Sequence, residues 1–84
     1  MVSYLILCRS LTYAQKAAHV LERAGLTVSI QRAPKEISKE GCAYCVRVSE
    51  RKIEAALGAL RATGTRFGGI YRKDPNGMPR EVTL

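Results

Sequence analysis

Two cysteines three residues apart, Cys42 and Cys45, lie in the stretch 34–48, PKEISKEGCAYCVRV, between two apolar segments. A Cys-x-x-Cys pair in a cytosolic chain can cycle between dithiol and disulfide. That chemistry works best when the first thiol sits at a helix N-terminus, where the dipole favours the thiolate. Here the motif runs on into Val46-Arg47-Val48, a strand pattern. The two side chains then diverge to opposite faces, and the dipole is missing. Structural zinc needs four ligands, commonly as two close pairs. Only Cys8 and His19 remain, and they form no second pair, so neither a metal nor another cofactor is expected. The chain contains no P-loop, no GxGxxG and no paired carboxylates, and His19 has no nucleophile partner by motif. A carrier or a binding protein fits better than a catalyst with turnover.

What remains is a single reactive thiol. Cys42 follows Gly41 at a loop-to-strand junction, with Lys35, Lys39 and Arg47 close in sequence. Neighbouring cations and free amides lower a thiol pKa, and glycine permits close approach of a second molecule. Composition alone favours a plainer reading, in which Cys42 and Cys45 are small buried hydrophobes. Cys8, inside an apolar strand, is assigned to the core.

These residues must be held by regular elements. Residues 3–8 (SYLILC) form an apolar run of strand formers. Thr12 to Gln15 matches a capping box, with Ser10 as a rival N-cap. Ala14, Ala17, Ala18, Leu21 and Ala24 then make one helical stripe, which Gly25 ends. Residues 26–31 alternate as a half-buried strand, closed by Pro34. Residues 35–41 read as a polar loop with Ile37 tucked inward. In the strand at 43–48, Arg47 cannot point into a helix-packed core, so Tyr44, Val46 and Val48 form the buried face. Ser49 caps a second helix carrying Ile53, Ala56, Leu57 and Leu60, and Gly64 ends it. Residues 66–72 predict a last strand, with Gly68-Gly69 marking a bulge or a close backbone approach. Asp74 to Gly77 is a turn, and the rest is a short returning strand or a tail.

The order βαββαβ implies an α+β, ferredoxin-like two-layer sandwich. Two helices cover one face of a four-stranded, mostly antiparallel sheet, with strands one and three side by side. Residues 1–73 form the single domain, and 74–84 the turn and tail. The other sheet face would carry Cys45 and Arg47 into solvent unless a partner, such as a second copy, covers it.

The 84 residues carry a formal charge of +7, with 14 bases scattered among seven acids. That pattern describes a solvated basic surface more simply than a nucleic-acid footprint. No apolar run reaches the roughly 18–20 residues of a membrane span. The first ten residues lack a basic region and a cleavage site, so they read as a strand. An odd cysteine count points to reduced thiols and the cytoplasm.

The chain resembles a family of small bacterial proteins described as selenium/sulfur carrier-like. The resemblance rests on residues 4–8, Ser10, Ala14, Leu21, Gly25, Pro34, Ser38 and Cys42, and covers about residues 3–73. It departs from the family pattern at Ala43, where a glycine is expected, and Cys45 is not a family cysteine. It also lacks the Cys-Pro helix start of better-known sulfur-relay carriers. The resemblance implies that Cys42 holds sulfur or selenium as a persulfide-type adduct, exchanged with donor and acceptor proteins. Cys45 would then be available as a resolving thiol. Pro34, Lys35, Ser38, Lys39, Gly41 and Arg47 would support the site, with Ser38 donating to the thiolate and the cations stabilising it. The alternatives are an interaction module, able to pair with itself, whose cysteines are structural, and a sheet-face RNA binder. The RNA reading is weak, because Cys42 and Tyr44 stand where two stacking aromatics belong.

Overall fold

The computed structural model describes residues 1–38 and 43–84. Its elements are β1 (Ser3–Cys8), α1 (Leu11–Arg23), β2 (Ser29–Arg32), β3 (Tyr44–Ser49), α2 (Ile53–Ala62), β4 (Ile70–Lys73) and β5 (Arg80–Val82). The five strands form one sheet in the order β2-β3-β1-β4-β5, every neighbouring pair antiparallel. The expected four-stranded sheet is therefore corrected to five. Residues 80–82 return along β4, placing Val82 opposite Ile70, where it packs at the border of the core. Among the described residues, no helix is long and apolar enough to cross a membrane.

Alternation assigns the faces. Tyr4, Ile6 and Cys8 of β1 pair in register with Val48, Val46 and Tyr44 of β3. With Ile70 they meet Ala14, Ala17 and Leu21 of α1 and Ala56, Leu57 and Leu60 of α2. Arg47 lies on the opposite face, exposed, as its charge requires.

Both helices end in Schellman motifs. Leu26 N–H donates to Leu21 O at 3.0 Å, and Thr65 N–H to Leu60 O at 2.9 Å. The reversals need left-handed residues, supplied by Gly25 (φ 86°) and Gly64 (φ 65°). Ala24 is the C-cap of α1 and is exposed, so the buried stripe stops at Leu21. Leu26, buried and committed to the cap, cannot start β2, which begins only at Ser29.

The N-termini also differ from expectation. Ser10, not Thr12, caps α1: its hydroxyl accepts from Tyr13 N–H at 3.3 Å, and its carbonyl from Ala14 N–H at 3.0 Å. A helix begun at Thr12 would forfeit both bonds. Ser10→Ala should lower stability by about 1 kcal/mol, read from urea midpoints, with Thr12→Ala close to neutral. Ser49 makes no side-chain cap bond, and a 3-10 turn, Glu50–Lys52, precedes α2. β4 starts at Ile70, later than expected, because Gly68 sits hard against β1. Gly68 N–H donates to Leu7 O at 2.6 Å, and a Cβ there would lie 3.2 Å from that oxygen.

Candidate functional site: a cationic cleft at the end of β1

The sheet end where β1 finishes gathers three chain segments. β1 stops at Cys8, and Arg9 and Ser10 lead directly into α1, whose cap fixes Tyr13 in the first turn. The Schellman turn after α2 sends residues 65–68 back over the same end, anchored by the Gly68–Leu7 bond. Ala43, just before β3, is held by Ala33 N–H donating to its carbonyl at 3.0 Å. Leu7, Arg9 and Tyr13, with Thr65, Arg66, Phe67 and Gly68 and with Ala43, line one open cleft of about 450 Å³.

Its walls are largely apolar, and among the described residues its charged lining is Arg9 and Arg66, without a carboxylate. Arg9 lies 5.8 Å from the Tyr13 ring centroid, and the Lys16 ammonium lies 5.8 Å from the same ring. An adjoining hollow of about 490 Å³ shares Tyr13, Thr65 and Arg66, and adds Lys16 and His19. The first turn of α1 holds no acid to offset its dipole. Charge, dipole and aromatic surface together suit an anion with an apolar body.

Two thiols lie among the described residues, and both are buried. Cys8 and Cys45 are 1% and 0% exposed. Burial pushes the Cys8 thiol from 9.0 up to about 11. Cys45 also rises to about 11, through burial first and then the proximity of Cys8. Cys8 thus sits in the core, as expected. Cys45 does not lie in solvent on the outer face, and that expectation is corrected. Leu7 and Gln31 flank it in register, and Pro34 reaches over the same face, lining a hollow with Leu5, Gln31 and Arg47.

Of the other residues singled out from sequence, Cys42, Gly41 and Lys39 lie outside the described residues. Pro34 opens a tight turn, its carbonyl accepting from Ile37 N–H and Ser38 N–H, both at 3.0 Å. Ser38 and Ile37 are half-buried and Lys35 is exposed. Arg47 lies four residues beyond Ala43, about 13 Å along an extended strand, and borders the Pro34 hollow. Among the described residues, the cations that line the cleft with Ala43 are Arg9 and Arg66, which sequence distance did not connect. Arg9 directly follows β1, whereas Arg66 lies within the segment between α2 and β4, where no local pattern marked it. His19 is exposed, and among the described residues no three His, Cys, Asp or Glu groups cluster as metal ligands. The outward face of β1 and β3 carries Ser3, Leu5, Leu7, Cys45 and Arg47, whereas Tyr4 and Tyr44 pack toward the helices.

The model of the family described as "Putative Se/S carrier protein-like" matches residues 3–72. The chain belongs to this Se/S carrier-like family. The match spans β1 through most of β4, and so includes every segment that lines the cleft. No curated protein and no solved structure matches the chain.

Proposed function

We propose that this Se/S carrier-like protein holds sulfur or selenium on Cys42 as a persulfide-type adduct. The observation that carries the reading is the burial of the other two thiols. With Cys8 and Cys45 raised to about 11, neither supplies much thiolate near neutral pH, and Cys42 is the remaining cysteine. Its chain neighbour Ala43 lines a cleft whose charged groups, among the described residues, are both cationic. In loading, the Cys42 thiolate attacks the outer sulfur of a persulfide donor. A new S–S bond forms at Cys42, the donor's own S–S bond breaks, and its thiolate leaves with the electron pair. Delivery repeats the exchange, with an acceptor thiolate attacking and Cys42 leaving.

Ser38 and Lys35, set by the Pro34 turn, are proposed to support the thiolate together with Lys39 and Gly41. Arg47, further along β3, would act on an approaching partner. Cys45 would have to open from the sheet before it could resolve an adduct, so single-thiol exchange is preferred. The strand order β2-β3-β1-β4 supports a ferredoxin-like reading of residues 1–73, with β5 as an added edge. An RNA-binding sheet face is disfavoured, because the outward faces of β1 and β3 offer no aromatic to stack a base.

The test is intact mass after incubation with a persulfide donor. Wild type should gain one sulfur that a dithiol reductant removes, and Cys42→Ser should gain none. An adduct of equal yield in Cys42→Ser would overturn the assignment.

A further inference from the structure

Resting on the carrier reading for its role, though not for its geometry, we infer that the cleft at the end of β1 binds a low-molecular-weight thiol compound bearing carboxylates. The volume, about 450 Å³, falls within the range of small-molecule sites and exceeds what an inorganic oxyanion fills. The Phe67 and Tyr13 rings and Leu7 provide apolar contact for a carbon skeleton. Arg9 and Arg66 offer planar guanidinium forks suited to carboxylates, with no acid among the described lining residues to compete. The acid-free first turn of α1 adds to the positive potential at Tyr13.

Such a compound, carrying its outer sulfur as R–S–SH, would be the donor class for Cys42. Attack on that outer sulfur releases R–S⁻ into a cleft edged by two guanidinium groups. A stabilised leaving thiolate departs faster.

The probe is S-methylglutathione, which has two carboxylates and a blocked sulfur, so it binds without exchanging. Titration followed by heat or by amide chemical shifts should show saturable binding, with shifts centred on residues 7–13 and 65–68. Arg9→Ala and Arg66→Ala, both at exposed positions, should weaken it about threefold each and about tenfold together. Esterifying both carboxylates, or raising salt to about 0.5 M, should weaken it comparably. Binding should persist in Cys42→Ser. If it persists while wild type takes up no sulfur, the cleft site stands and the carrier reading falls. Unchanged affinity in the double arginine variant would overturn the cleft site, as would shifts confined to other surfaces. Saturation by an acidic peptide, with none by the tripeptide, would overturn it in favour of a protein partner.

Discussion

Alkylation of the native protein at pH 7.5 should label Cys42 at least about a hundredfold faster than Cys8 or Cys45. The factor is the suppression of thiolate at the two buried sulfurs relative to an unperturbed thiol. A thiol at the ordinary 9.0 is about 3% ionised at that pH, and one at about 11 is about 0.03% ionised. Steric exclusion lowers the rates further, since Cys8 and Cys45 are 1% and 0% exposed and a reagent reaches them only when the sheet opens. Site-resolved mass spectrometry after short iodoacetamide pulses reads all three rates at once. Cys42→Ser should leave a protein nearly inert until denaturant is added. If Cys45 is labelled as fast as Cys42, the elimination on which the carrier assignment rests collapses. A pulse series across pH then tests the supporting cations: a Cys42 rate that levels off below pH 9 means that they lower its pKa.

The fold was legible where one strong local rule acted alone. Arg47 fixed the inward face of β3, and Val46 and Val48 are indeed buried beside a half-buried Tyr44. Gly25 and Gly64 marked both helix ends, because a left-handed residue was required there. Boundaries failed where two uses of one residue competed. Leu26 continues an alternating strand pattern, but its amide closes the α1 cap, and a backbone group makes that bond only once. Ser10 and Thr12 both fit an N-cap, and the choice depended on where β1 released the chain. Residues 80–82 were undecidable locally, because a three-residue edge strand draws its order from its partner β4.

The site was less legible than the fold. Its thiols could be named, but sequence distance was a poor guide to the charges around them. Arg47 is near Cys42 in the chain yet borders the Pro34 hollow, whereas Arg9 and Arg66 reach the Ala43 end through separate elements. Cys45 misled for a related reason. Helices on one side imply an open opposite face, but the segment at Pro34 covers part of it, and Leu5 is buried there too. A connecting segment with little periodicity gives no advance sign of which surface it will cross.

The same buried thiols predict a steep loss of stability in alkali. For each, the folded pKa of about 11 stands above the ordinary 9.0 expected in the unfolded chain. Below pH 9 both states hold the proton, and the stability due to burial is fully present. Between pH 9 and 11 the unfolded chain releases protons that the folded protein retains, so stability falls as pH rises. Two pH units correspond to about 2.7 kcal/mol per thiol at the limit, and roughly 2 kcal/mol is already lost by pH 10.5. The two losses will not simply add, because part of the Cys45 shift comes from Cys8. A combined loss of about 3–4 kcal/mol is nevertheless a large fraction of the 5–15 kcal/mol typical of a domain. Urea unfolding at pH 8 and pH 10.5 measures it, with Cys8→Val/Cys45→Ala as the reference. The variant keeps every other ionisable side chain, so the difference between the two drops isolates the thiols. The variant starts lower at pH 8 through lost packing, yet its stability should decline by about 3 kcal/mol less. Parallel declines would mean that these sulfurs ionise in the folded protein as readily as in the open chain. Cys8 and Cys45 would then compete with Cys42 for every sulfur donor, and single-thiol exchange would have no structural basis.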